Sequence, residues 1–470
     1  MENQSEEDKV LKKIGKKISK EKNDNIIYTS FLETDDYILE QINNATHATH
    51  TTHATDTKFI IFNKKTALTD IRDNFIFQGR EYCPIVDELL LTGSILLPSG
   101  IEEYDNEKKL ADRIGNFLFR YFEVNSFFEK FLPYLCMFYW VYEKFPFVPY
   151  LHFIGLTGTG KTTAQEVFGS ICYKPIDASG AITMSPIFRT ASTWRGTLLL
   201  DEFEADGEGY KEMISFLKSG VGNKSVLRTE GDKKREVKVY IIKSPKVFTS
   251  ENPITNAGLQ SRTIVIRMEK NKRKVPLYRL PLFLEESEHI RNQLLLWRLR
   301  NLNKIDLKEI EYGYPELQSF DGRVQQVITP IYYLSDESTK KKIAEFAKIQ
   351  QAETFKERQD GLDGQIFQSI IELYPSPTIK MIAQSINIDQ AIRKISEKKI
   401  ANIIRKVFGF DIKRMGHDMI STVILEGKKE KIEELSNYYG ISVVSPASVA
   451  SVASVASVAD QELWSEGNST

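Results

Sequence analysis

Val148-Pro-Tyr-Leu-His-Phe-Ile154, continuing Gly155-Leu-Thr-Gly158-Thr-Gly160-Lys161-Thr162-Thr163, is the stretch that decides the fold. The first seven residues are an apolar run of strand length. The next eight satisfy G-x-x-x-x-G-K-[ST] in full. Glycines such as Gly155, Gly158 and Gly160 let a backbone wrap until successive N–H groups point at phosphate oxygens. Lys161 then reaches the β- and γ-phosphates, and the Thr162 hydroxyl ligates Mg²⁺. A helix is expected over 163–171, with Thr163 in its first turn against the nucleotide. Strand, loop and helix in that order predict an α/β protein built on a parallel sheet, with ATP and Mg²⁺ as its ligands.

Two further strands extend the pattern downstream. Thr197-Leu-Leu-Leu-Asp201-Glu202 is an apolar run feeding two acids. Asp201 is expected in the Mg²⁺ shell, and Glu202 is placed to polarise an attacking water. A kinase transferring phosphate to a substrate does not need that second acid, so the pair favours hydrolysis. Lys246-Val-Phe-Thr249-Ser-Glu-Asn252-Pro253 is another strand ending in polar residues. Asn252 is the first candidate for sensing the γ-phosphate and Thr249 the second. Arg262 stands directly before a strand over 263–268. In a ring of subunits it would act as an arginine finger on a neighbour's nucleotide.

Basic charge concentrates in two places. Residues 218–246 carry nine Lys or Arg against three acids, and two β-prone runs there flank Glu-Gly-Asp-Lys233-Lys234-Arg235. That is a hairpin pattern, with cations at its tip suited to following phosphates without reading bases. The second place is 391–414, with eight basic residues against two acidic. Ser396 can cap a helix that Gly409 ends, and strands are expected over 410–414 and 420–425. With a helix over 379–386, this makes a winged-helix pattern whose Lys398, Lys399 and Arg405 can face duplex DNA.

Composition sets outer bounds. The chain has 470 residues, of which 41% are hydrophobic and 27% charged, with a net charge of −1. A globally basic coat is therefore excluded, while local basic patches are not. Cys83, Cys136 and Cys172 lack the spacing of a disulfide scaffold or zinc ribbon and suit a reducing cytoplasm. The longest apolar stretch, 131–142, is too short for a bilayer and reads as a buried helix. The expected division is a charged, partly disordered segment with a His/Thr repeat over 1–57, and a mixed, mostly helical domain over 58–146. An ATPase core over 147–270, a helical lid over 271–370 and a winged helix over 371–440 follow. A Ser-Val-Ala tail over 441–470 ends the chain. His47, His50 and His53 recur every third residue and read as part of a linker, with metal binding as the alternative.

From Tyr150 to Met268 the order of elements resembles the AAA+ ATPases, in particular the branch containing MCM proteins and superfamily-3 helicases. Gly155 to Thr162 matches Walker A, Asp201-Glu202 Walker B, Asn252 sensor 1 and Ser261-Arg262 the finger motif. That motif continues Thr-Ile here rather than Phe-Asp. Gly322-Arg323 resembles the lid segment carrying a sensor-2 arginine, which implies that Arg323 contacts nucleotide. Leu97-Pro-Ser-Gly and the helices leading to Pro149-Tyr150-Leu151 are similar to plasmid- and phage-encoded ATPases of the primase-helicase type. The resemblance implies a homo-oligomeric, hexameric DNA helicase with single-stranded DNA in its channel and any primase on a separate chain. The alternative is a DNA-binding initiator that uses ATP as an assembly switch.

Overall fold

The computed structural model describes residues 25–44, 56–178, 184–201, 210–230, 236–254, 256–306, 308, 310, 313–387, 394–415 and 419–442. Glu202, Lys233, Lys234, Arg235 and the histidine repeat lie outside them. The fold is mixed α/β, and the chain divides into two compact units, 1–347 and 348–470.

The first unit opens with short strands: β1 (Ile26–Tyr28), β2 (Phe31–Glu33), β3 (Tyr37–Asn43), β4 (Thr57–Asn63), β5 (Thr69–Arg72), β6 (Phe75–Phe77) and β7 (Arg80–Cys83). They form an antiparallel sheet β2-β3-β4-β5 and a second sheet β1-β7-β6. Alternate residues leave opposite faces of a strand. Leu39, Phe59 and Ile61 accordingly meet Phe75 in a small cluster, while Ile38, Ile42, Ile60 and Phe62 enter the main core. The described residues of 26–83 are therefore largely β, where the sequence suggested a frayed segment and a mixed or mostly helical domain. Five of the seven strands have only three or four residues, too short to display a period.

Helices α1 (Glu88–Leu91), α2 (Glu107–Tyr121) and α3 (Ser126–Tyr139) follow. Asn106 and Asn125 cap α2 and α3 by accepting from Lys109 N and Phe128 N. The second cap separates α3 from α2, because its side chain satisfies the new first turn. The apolar run 131–142 is buried as expected. Among the described residues no helix is long and apolar enough to cross a membrane.

The central layer alternates strand and helix: β8 (Tyr150–Ile154), α4 (Lys161–Gly169), β9 (Ile176–Asp177), α5 (Met184–Trp194), β10 (Leu198–Leu200) and α6 (Tyr210–Ser219). It continues through β11 (Ser225–Glu230), β12 (Glu236–Ile241), β13 (Lys246–Ser250), α7 (Ala257–Gln260) and β14 (Thr263–Arg267). Five of these strands form one sheet in the order β14-β8-β13-β10-β9, and every neighbouring pair is parallel. All five residues of β8 and of β13 are buried, as expected for central strands covered on both faces. β11 and β12 stand apart as an antiparallel hairpin.

α8 (Pro281–Asn301), α9 (Gly322–Leu334) and α10 (Glu337–Asp360) complete the described helices of the first unit, whose boundary falls within α10. One continuous core joins β3 and β4 to α2, α3, α4, α8 and α9. The blocks expected over 58–146, 147–270 and the start of 271–370 thus share a core. A buried ion cluster sits in it: Glu40 on β3 pairs with Lys174 at 3.0 Å and with Arg298 on α8 at 2.6 Å.

The second unit contains α11 (Leu362–Glu372), α12 (Ile379–Asn387), α13 (Glu397–Ile403), β15 (Asp411–Met415), β16 (Ile420–Ile424) and α14 (Lys429–Tyr439). α13 continues into a π-helical turn over Ile404–Phe408. Ser396 caps α13, Gly409 ends it in the left-handed region, and β15 pairs antiparallel with β16. Ile366, Phe367, Ile382, Ile400, Phe408 and Val423 fill its core.

Candidate nucleotide site

Because the sheet is parallel, β8, β10 and β13 deliver their C-terminal ends to one edge. The loop after β8 turns there through Gly158 (φ +82°) and Gly160 (φ +87°), conformations that side chains disfavour. Gly155 answers to a different constraint: a Cβ there would stand 2.6 Å from the Met268 carbonyl oxygen. The loop ends at Gly160, the N-cap of α4, so the positive end of the helix dipole faces the loop. Lys161 Nζ donates to the carbonyls of Gly155 at 2.7 Å and Leu156 at 3.0 Å.

Thr162 Oγ1 donates to the Asp201 carboxylate, at 3.2 Å from Oδ1 and 3.3 Å from Oδ2. Thr249 Oγ1 donates to Asp201 Oδ1 at 2.5 Å. β13 lies between β8 and β10, which is why its Thr249 reaches an acid at the end of β10. The hydroxyl of Thr162 and the carboxylate of Asp201 are hard oxygen ligands of the kind Mg²⁺ takes. Among the described residues no group of three His, Cys, Asp or Glu side chains gathers to bind a metal. Thr163 is held by Tyr278, whose hydroxyl also bonds Glu166, and Arg279 pairs with Glu166 at 2.7 Å.

The turn after β13 is tied back to the sheet. Ser250 Oγ donates to the Asn252 carbonyl at 2.6 Å, and His152 Nε2 on β8 lies 2.7 Å from the same oxygen. With its one proton spent on a carbonyl, the Ser250 hydroxyl accepts from His152, which therefore carries hydrogen on Nε2. Burial, with the charge of Arg267, pushes the His152 pKa down to about 4 and keeps the ring neutral. Glu251 accepts from Thr157 of the glycine loop. The Asn252 side chain is exposed, and Thr249 is the sensor candidate that bonds Asp201. A cleft of about 430 Å³, lined by Leu156, Thr159, Pro253, Met268 and their neighbours, opens beside the loop.

Arg262 and Arg323 occupy the opposite edge of the sheet. The Arg262 carbonyl accepts from Tyr150 N, at the start of β8. The glycine loop follows the other end of that strand, about 13 Å away at 3.3 Å per residue. Arg262 donates to Gly258 O, and Arg323 donates to the Ser261 hydroxyl at 3.5 Å. Burial and the nearby Arg323 both lower the Arg262 pKa. Arg323, which the resemblance implies contacts nucleotide, stands beside the finger candidate.

Partway along the β11–β12 hairpin, opposite Lys238, Arg228 pairs with Glu212 at 2.7 Å and lies over the Phe188 ring at 4.4 Å. In the second unit Lys398, Lys399 and Arg405 are exposed, with Asn402 between them. Sequence reading passed over Asn402, although its spacing from Lys398 and Arg405 carried the signal. It passed over the His152–Ser250 pair because strand register is not written in either segment.

No protein-family model matches the chain, and no curated protein matches it. Among solved structures, an A-form apo structure of the NrS-1 C-terminal region is 11% identical, with a TM-score of 0.38, over 78% of this chain and 93% of that one. A second A-form apo structure of the region is 11% identical, with a TM-score of 0.38, over 82% and 96%. A further apo structure is 12% identical, with a TM-score of 0.38, over 78% and 93%. Superposition at this level does not establish a shared fold.

Proposed function

We propose that the chain is an ATP-hydrolysing DNA motor of the AAA+ type, a hexameric helicase serving replication of a mobile element or its host. The observation that carries this reading is the Thr162 hydroxyl set 3.2 Å from the Asp201 carboxylate, directly behind a glycine loop that opens a helix. A loop of this kind gathers backbone N–H groups on phosphates, and Lys161 is free to exchange its carbonyl partners for β- and γ-oxygens. Thr162 and Asp201 would hold Mg²⁺, which when bound neutralises charge on those oxygens. Thr249 orients Asp201 and stands between the metal ligands and the Asn252 turn. Glu202, the next residue after Asp201, takes the role of base towards water.

Arg262 and Arg323 lie on the wrong edge to serve the glycine loop of their own chain. They complete the site of an adjacent copy, which makes hydrolysis a property of the ring. Lys233, Lys234 and Arg235, between β11 and β12, follow the backbone of single-stranded DNA in the channel. The second unit acts as a winged helix, with α12 and α13 as its helix pair and β15–β16 as the wing.

The test is ATP turnover of the full chain with and without single-stranded DNA, beside Lys161→Ala and Glu202→Gln. Severalfold stimulation is expected, lost in Lys161→Ala. Glu202→Gln should keep ATP affinity while turnover falls by two orders of magnitude or more, on the scale of losing a general base. Turnover indifferent to single strands but tied to oligomerisation would transfer the reading to the initiator. Full turnover in Lys161→Ala would end it.

A further inference from the structure

One solvent-facing surface of the second unit is organised differently from the rest of the chain. Residues four and three apart on a helix share a face, which aligns Lys398, Asn402 and Arg405, with Lys399 and Lys406 in the adjoining row. All five are exposed, and the reverse face buries Ile400, Ile404 and Phe408 in the unit's core. Lys413 and Arg414 on β15 are exposed as well. Among the described residues none of these cations is paired with a carboxylate, whereas Lys428 and Lys431 nearby are paired. The helix and its π turn carry a single acid, Glu397 in the first turn, against four of these cations, which repel one another, and a polyanion relieves that cost.

Two features distinguish this face from a generic phosphate-binding patch. Asn402, at its centre, has no hydrogen-bond partner among the described residues, so a two-donor, two-acceptor amide is left open in the middle of the cations. The π-helical turn over Ile404–Phe408 then widens the helix where it carries charge. Arg405 and Lys406 are both exposed there. An amide and a guanidinium are side-chain types that distinguish base edges: Asn pairs bidentately with adenine N6 and N7, and Arg with guanine O6 and N7.

We propose that this face reads duplex DNA by sequence in the major groove. Asn402 and Arg405 take base edges, and Lys398, Lys399, Lys406, Lys413 and Arg414 hold phosphates. An α-helix fits the major groove in width. The inference rests on DNA being the partner and not on ATP hydrolysis, so the two can fail separately.

The experiment is selection of the full chain on a random-sequence DNA duplex pool, followed by titration of the enriched duplex, single-stranded DNA and duplex RNA. ATP turnover is read in parallel. Wild type should enrich a short motif containing adenine. Asn402→Ala, at an exposed position, should reduce discrimination at one adenine roughly 5- to 150-fold. Its affinity for unselected duplex and its ATP turnover should stay unchanged. Lys413→Ala with Arg414→Ala should weaken all duplexes alike and reduce the salt dependence of binding. An unenriched pool, a motif intact in Asn402→Ala, or tighter binding of duplex RNA than of the enriched duplex would overturn the inference. If turnover and single-strand stimulation persist in that event, the motor reading survives; if no nucleic acid binds at all, both fall.

Discussion

Among the described residues Lys246 has no acid paired with it. It begins β13, is fully buried, and donates to the carbonyls of Ile242 at 3.1 Å and Ser244 at 2.9 Å, between the rings of Tyr150 and Phe216. Burial lowers its pKa from 10.5 to about 7. Between those values the unfolded chain holds a proton that the folded chain has released, so stability rises with pH through that window, by at most about 1.4 kcal/mol per unit. Below pH 7 both states are protonated and the contribution is flat. Chemical denaturation of wild type and Lys246→Met from pH 6.5 to 9.5 should therefore show a stability difference that moves in favour of wild type as pH rises. Parallel curves would mean that the amine stays charged in the fold. At this scale the sequence was legible where chemistry and spacing coincide, as in Lys161, Thr162 and Asp201. It was not legible for Thr249 against Asn252, three residues apart at the end of one strand. Only the pairing of β13 with its neighbours decides which of them meets Asp201.

Among elements, the small strands were least readable and carry the least expected contact. β3 sends a carboxylate, Glu40, into a core that holds Lys174 and Arg298, and Tyr173 donates to it at 3.0 Å. Three segments far apart in sequence meet there, so no local pattern announces it. Removing one partner of a buried pair leaves uncompensated charge, at a cost of about 3–5 kcal/mol. Glu40→Ala is expected to lower unfolding stability by that amount, with Arg298 keeping only Glu143 as an acid and Lys174 keeping only Ser30 as a polar partner. A loss under about 1 kcal/mol would show that water reaches the cluster. The five-stranded sheet, by contrast, was foreshadowed by four apolar runs of strand length, those leading to Gly155, Asp201 and Asn252 and that following Arg262. The π turn in the second unit had no counterpart in the sequence, since its residues fit an ordinary helix equally well.

For the whole molecule the decisive relation is between the two edges of the sheet. The glycine loop, Asp201 and Thr249 stand at one, and Arg262 with Arg323 at the other. Chains carrying Arg262→Ala and chains carrying Lys161→Ala should each turn over ATP poorly. Mixed in equal amounts they should recover part of the activity, because some contacts then join an intact loop to an intact arginine. Absence of recovery in mixed oligomers would place the arginines in service to their own chain. A site split between opposite edges also limits the symmetry of any assembly. Two copies related by a two-fold axis share one self-complementary patch, so they complete each other's sites only where loop and arginines both lie on that patch. A head-to-tail arrangement needs no such shared patch, and it must either close on itself or grow without end. If the arginines serve a neighbour's loop, a site split between the two ends of the strands therefore suits a cyclic or helical assembly better than a symmetric dimer.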